Sequence, residues 1–142
     1  METHYCVWII NEWDIIEARS LGKNAAKELG FSAVDQAKIT VAISELARNI
    51  FKYAGRGQIH ITKLIDGEKI GLQITAADHG PGMEIQKVMA DGFSTSGGLG
   101  SGLPGVKRLM DDFSAISSPE EGTSIITTKW LEMNQQRGAQ LV

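Results

Sequence analysis

Two β-hairpin signals in one short chain restrict its fold more than any other feature of the sequence. Residues 58–65 and 68–77 alternate or run apolar on either side of Asp66-Gly67, a dipeptide that favours the positive φ of a two-residue hairpin turn. Residues 113–118 and 123–131 repeat the arrangement around Pro119-Glu120-Glu121-Gly122. Strands joined this tightly pair antiparallel, because a parallel connection needs a crossover of a dozen or more residues.

The remainder supplies one more strand and the helices. Residues 5–10 read as a strand, and 14–29 place Ile15, Ile16, Leu21, Ala25, Ala26 and Leu29 in a broken helical period that Gly30 closes at a C′ position. Ser32-x-x-Asp35 approximates a capping box and opens a long helix to about Tyr53, with Ile39, Ala42, Ile43, Leu46, Ile50 and Tyr53 as its core face. A short helical piece covers 84–90, and Pro104 stands at the first position of a last helix whose buried stripe is Val106, Leu109, Met110 and Phe113. The order strand-helix-helix-strand-strand-helix-strand-strand predicts an α/β (α+β) two-layer sandwich, a mixed, mainly antiparallel sheet with helices on one face. Residues 1–131 are expected to form a single domain and 132–142 a frayed polar tail.

Composition removes several classes of function. Cys6 is the only cysteine, so neither an intramolecular disulfide nor a cysteine-based zinc cluster can form, and within its apolar run it reads as a small core residue. His4, His60 and His79 lack the spacing of metal ligands. With 14 Lys+Arg against 17 Asp+Glu and no basic run, the net charge of −3 offers no face for nucleic acid or a membrane surface. The run Cys6-Val7-Trp8-Ile9-Ile10 is far shorter than the roughly 20 residues of a membrane span, and Met1-Glu2-Thr3-His4 is not a basic leader. The chain is therefore expected to be soluble and cytoplasmic, and any anion it binds must be held locally.

Three local constellations could hold one. Glu45, Arg48, Asn49 and Lys52 share a stripe of the long helix: either a solvated face, or a carboxylate and a carboxamide one turn apart that aim oxygen ligands at a common point, as Mg²⁺ with substrate phosphates requires. Asp78-His79-Gly80-Pro81-Gly82 ends a predicted strand. It is either a tight turn, or a carboxylate accepting from the edge of a base that glycines let lie close to the backbone. Third, glycine is over-represented at 16 of 142 residues, and Gly97-Gly98-Leu99-Gly100-Ser101-Gly102-Leu103-Pro104-Gly105 precedes a helix. Such a loop is a flexible linker or a phosphate cradle, in which exposed backbone N–H groups and a helix dipole hold an anion without a basic side chain. The Walker pattern is absent. Gly100-x-Gly102-x-x-Gly105 matches the dinucleotide fingerprint, but Ser94-Thr95-Ser96-Gly97-Gly98 before it cannot be the first strand of a βαβ unit.

Taken together and in order, Glu45-x-x-x-Asn49-x-x-Lys52-Tyr53, Asp78-x-Gly80-x-Gly82, Gly98-x-Gly100-x-Gly102-Leu103 and Gly122-Thr123 resemble the N, G1 and G2 boxes and terminal Gly-Thr of the gyrase, Hsp90, histidine-kinase and MutL (GHKL, Bergerat-fold) ATP-binding family. The resemblance spans about residues 30–130. Within that family, the short length and the stretch Asp91 to Phe113 resemble the small serine/threonine protein kinases of bacterial partner-switching systems, nearest to the switch kinases of stressosome pathways and further from the anti-sigma-factor kinases.

The resemblance implies ATP and Mg²⁺ as cofactors and a role for each matched position. Asp78 would recognise the adenine amino group, supported by Thr123 through a water, with Gly80 and Gly82 shaping the pocket. Asn49 would coordinate Mg²⁺, and Glu45 would orient or deprotonate an incoming hydroxyl, with Lys52 adding a charge. Gly98, Gly100 and Gly102 would donate N–H groups to phosphates, Leu103 would follow them at the helix start, and residues 83–97 would form a lid hinged at Gly92 and Gly97. Phosphoryl transfer needs positioning and charge neutralisation above all, and this set supplies both in kind. The implied partner is a separate STAS-type antagonist protein phosphorylated on Ser or Thr, with a PP2C-type phosphatase as a downstream partner. The alternative is an anti-sigma factor of the same fold whose role is chiefly binding.

Overall fold

The computed structural model describes residues 4–90 and 102–132. Its elements are β1 His4–Ile9, α1 Glu12–Leu29, α2 Ala33–Ala54, β2 Gly57–Asp66, β3 Lys69–Asp78, α3 Ile85–Val88, α4 Gly102–Leu109, β4 Asp112–Ser118 and β5 Gly122–Trp130. The five strands form one sheet in the order β1-β2-β3-β5-β4, with every neighbouring pair antiparallel, so the parallel pairing that a mixed sheet would include is not found among the described residues.

Strand periodicity decides which side chains meet the helices. Val7 and Ile9, Ile59 and Ile61, Ile74 and Ala76, and Ile125 are buried, and α1 and α2 pack on that face. The same alternation turns Cys6, Trp8 and Ile126 to the open face, where all three are exposed. Cys6 is thus a surface residue of an edge strand, not a core residue. A continuous apolar run does not reveal that only alternate members face inward.

Helix boundaries follow caps. Asn11 caps α1 in a full capping box with Asp14, which starts the helix at Glu12, two residues earlier than periodicity suggests, and Gly30 ends it in the left-handed conformation at φ 98°. Ile16 falls off the buried stripe, which runs through Ala18, Gly22, Ala25 and Ala26. The Ser32 hydroxyl accepts from the Asp35 N–H at 3.1 Å, and Ile39, Ala42, Ile43, Leu46 and Ile50 form the expected core face of α2. The first hairpin turns at Gly67-Glu68, with Asp66 still paired to Lys69. Pro104 stands third in α4, inside the first turn where no intrahelical acceptor is required, and Phe113 belongs to β4.

Lys129 of β5 ties the layers together. Its buried ammonium donates to the Leu109 carbonyl at the end of α4 at 3.1 Å and to Asp111 Oδ1 at 3.4 Å, and stands 4.0 Å from Asp35 Oδ1 at the start of α2. Lys129→Met should destabilise the protein by about 2 kcal/mol in chemical denaturation, the scale of a lost hydrogen bond to a charged group; an unchanged midpoint would refute this linkage.

On the open face, His4 and His60 stack with ring centroids 5.0 Å apart and an Nε2 to Nδ1 contact of 2.9 Å. Burial, and then the neighbouring His4, hold His60 below the ordinary histidine range. The unfolded chain therefore takes up the proton first. The stabilisation from neutral His60 is complete above about pH 6.5 and fades as the pH falls through the lower folded value. Urea midpoints measured as the pH falls below about 6.5 should decline more steeply for the wild type than for His60→Gln.

Candidate active site

The end of β3 is joined to two other segments through one carboxylate oxygen. Asp78 Oδ1 accepts the Gly80 N–H at 2.9 Å and the Thr123 N–H, from the start of β5, at 3.2 Å. Asp78 and Thr123 are both buried. With Oδ1 saturated by main-chain donors, Oδ2 has no donor among the described residues and is the atom able to accept from a ligand.

The loop after Asp78 lies against the end of α2: a Cβ added at Gly80 would stand 2.6 Å from Ala54 Cβ. Gly82 packs on β4, where an added Cβ would lie 2.6 Å from the Ser118 carbonyl oxygen. Ala54 is five residues beyond Asn49, about 7.5 Å along the helix axis, so the Asp78 loop and the polar stripe of α2 share one end of the molecule. On that stripe Glu45 is 5% exposed and accepts from Arg48 Nη1 at 3.2 Å, Asn49 is half-buried, and Lys52 is exposed with its ammonium 5.2 Å from the Tyr53 ring centre. The solvated-face reading fails at Glu45, whose burial the sequence did not disclose.

Gly102 opens α4 with φ 70°, and Leu103, Val106 and Met110 anchor that helix in the core against α2. Gly98 and Gly100, the proposed hinges Gly92 and Gly97, and the tail residues 133–142 lie outside the described residues. Asn49 and Glu45 supply hard oxygen donors of the kind Mg²⁺ takes, and among the described residues no cluster of three or more His, Cys, Asp or Glu could hold a metal by itself. A donor set of this type suits an ion that arrives with phosphates and keeps several waters.

Sequence reasoning missed Ser117. It sits opposite Thr123 in the β4–β5 register, its Oγ lies 2.8 Å from Thr123 Oγ1, and it accepts the Met83 N–H at 2.8 Å. It also lines a cleft of about 480 Å³ with Met83, Glu84, Ile85, Gln86 and Lys87. Only the hairpin register could have located it. The expected loop 119–122 leaves Gly122 unpaired, whereas Gly122 pairs with Ser118 and thereby sets Ser117 against Thr123.

Residues 34–134 match the family of histidine kinase-, DNA gyrase B- and HSP90-like ATPases. The chain is 64% identical over 132 residues to the serine/threonine-protein kinase RsbT of Bacillus subtilis (strain 168), a match that covers 92% of this chain and 99% of that protein. It is 31% identical over 121 residues to the anti-sigma F factor of Thermoanaerobacter sp. (strain X514), covering 80% of this chain and 83% of the relative. The solved structure of the RsbU and RsbW domains of Rv1364c from Mycobacterium tuberculosis shares the fold, with a TM-score of 0.61 at 16% identity over 93% of this chain, which spans 33% of that longer chain. The chain belongs to the histidine kinase-, DNA gyrase B- and HSP90-like ATPase family, and within it to the serine/threonine-protein kinases of the RsbT type. Among the described residues, no helix is long and apolar enough to cross a membrane.

The junction at Asp78 requires glycine at 122. Gly122 has φ 84°, and a Cβ there would stand 2.2 Å from the Asp78 carbonyl oxygen, whereas Gly55 has a similar φ of 79° with nothing within 4 Å. Gly55→Ala should cost only the strain of a positive φ, about 1–2 kcal/mol, and Gly122→Ala more, about 3 kcal/mol or above. Equal losses in denaturation would show that the close approach is unimportant.

Proposed function

We propose that this kinase works as a partner switch: it transfers the γ-phosphate of ATP to a Ser or Thr hydroxyl on a separate STAS-type antagonist, and then engages a PP2C-type phosphatase. The observation that carries the nucleotide assignment is Asp78, pinned by two main-chain donors at Oδ1 with Oδ2 left to accept an amino group. Its loop abuts the helix that carries Glu45 and Asn49. The partner classes rest on the likeness to RsbT.

In this reading Asp78 and Thr123 hold the base, with Gly80 and Gly82 forming its floor. Gly98, Gly100, Gly102 and Leu103 bind the phosphates through the main chain at the start of α4. Mg²⁺, when bound, would neutralise phosphate charge, and the Asn49 carboxamide oxygen would hold it. The acceptor hydroxyl oxygen attacks the γ-phosphorus as the bond to the bridging oxygen breaks and ADP departs. Glu45 takes the hydroxyl proton. Arg48 occupies Glu45 Oε1 and so leaves Oε2 for that proton, while Lys52 adds positive charge at the rim. Catalysis of this kind comes from positioning and charge stabilisation. The site of action is the cytoplasm.

The test is incubation with labelled ATP, Mg²⁺ and candidate antagonist domains. Label should pass to the antagonist, and Asn49→Ala should lower the rate by about 100-fold or more, the scale of losing one preorganised electrostatic contact; full labelling by that variant would sink the assignment. The 31% identical anti-sigma F factor favours a second reading, in which binding is the chief role. Under that reading Glu45→Ala preserves regulation in vivo while losing transfer, whereas simultaneous loss of both supports the enzyme.

A further inference from the structure

We infer that a cavity at the open-face rim of β1, β2 and β3 is a docking site for an acidic side chain, Asp or Glu, presented by a protein partner. The site is distinct from the polar stripe of α2 and does not depend on the nucleotide reading.

Sheet register builds one wall of it. Trp8 pairs with Gln58, and Gln58 with Ala77, so the three side chains stand in one row across the open face, on the side of the sheet away from α2. The turn between α2 and β2 brings Arg56 to this row, with its guanidinium carbon 5.4 Å from the centre of the Trp8 ring. His79, just past the end of β3, also lines the cavity, whose volume is about 380 Å³. That size falls within the range of ligand pockets.

The polar groups in the lining set the sign of the occupant. Arg56 is exposed, and among the described residues it forms no ion pair and no side-chain hydrogen bond. Gln58 Oε1 accepts from His60 Nε2 at 3.0 Å, which leaves the Gln58 amide N–H groups to donate. Asp78 is the one carboxylate in the lining, and the alternation that turns Ala77 to the open face turns the buried Asp78 side chain towards the helices. The cavity thus presents a positive charge, spare donors and an aromatic face, without an acceptor to match them. A carboxylate supplies that acceptor: it meets a guanidinium through two parallel hydrogen bonds, and the Trp8 ring holds the guanidinium in place for them.

The surroundings point to a protein as the source of the carboxylate. Ile9 pairs with Gly57 beside the cavity, and the chain continues from there through Ile10 and Trp13, 53% and 76% exposed. A small dicarboxylate would fill the cavity and leave this apolar surface in water, whereas a protein segment would cover it. Tryptophan and arginine are also the residues that most often dominate the energetics of protein interfaces.

The test titrates a capped hexapeptide with one Glu beside one Leu, its Gln counterpart, and glutarate into the isotope-labelled full chain, following the Trp8 indole and Arg56 side-chain N–H resonances. The Glu peptide should shift both signals saturably and bind at least about tenfold more tightly than the Gln peptide, the scale of a hydrogen-bonded charge pair. Arg56→Gln should abolish that preference while leaving ATP affinity unchanged. Equal binding of the two peptides, or a preference that survives in Arg56→Gln, would overturn the inference. Glutarate binding as tightly as the Glu peptide would show a site for free anions and overturn the protein assignment. An equal loss of ATP affinity in Arg56→Gln would show that Arg56 serves the nucleotide, and the separate site would fail.

Discussion

The site depends on one carboxylate oxygen. Asp78 Oδ1 gathers the N–H of Gly80, two residues away, and that of Thr123, 45 residues away, and so holds the end of β3, the following loop and the start of β5 in a single joint. Hydrogen bonds to an ionised acceptor are about twice as strong as neutral ones, and two of them compensate the burial of a charge that would otherwise be prohibitive. They also single out one atom: with Oδ1 occupied, Oδ2 is the oxygen left without a donor among the described residues. The short contacts around Gly80 and Gly122 are consequences of that joint, since each lets a backbone segment come close enough for its N–H or its neighbour to reach Asp78.

Helix α2 converts core packing into site geometry. The rotation that buries Ile39, Ile43, Leu46 and Ile50 leaves no choice about where Glu45, Asn49 and Lys52 project, because all lie on one rigid 22-residue helix. Glu45 is drawn inward as far as the core residues, and its partner Arg48 remains 55% exposed. That asymmetry leaves the carboxylate sheltered from water on the stripe of the helix that it shares with Asn49. A surface carboxylate would lack that shelter.

Features set by short-range physics were legible in the sequence. Both hairpins, the core stripe of α2 and the Gly30 cap follow from periodicity and turn chemistry, and Asp78, Gly80 and Gly82 could be marked because they form one local motif. What escaped depends on register or on partners distant in sequence. Pairing of Gly122 with Ser118 moves the β4–β5 register by one residue, and a one-residue move decides that Ser117 meets Thr123. Cys6 and Ile16 were misplaced because hydrophobicity does not distinguish the two sides of an edge strand or a residue one step off a helical stripe. The buried position of Lys129 could not be read at all, since its partners Asp35, Leu109 and Asp111 come from two other parts of the chain.

The acidic balance of the chain is compatible with a polyanionic ligand, because net charge acts weakly beyond the roughly 8 Å over which salt screens. The nearest groups decide. Helix α2 presents its C-terminal end, a partial negative pole, beside Asn49, while α4, packed against it, begins at Gly102 with a partial positive pole. An isolated anion would be attracted by one pole and repelled by the other. Under the proposed reading, a phosphate chain that arrives with a divalent cation would bring both signs and could answer both poles. Glu45, already paired with Arg48, adds little repulsion, and Lys52 in the last turn of α2 offsets the pole where it faces solvent. The proposed binding of a metal-bound nucleotide thus needs no basic patch, which the sequence lacks.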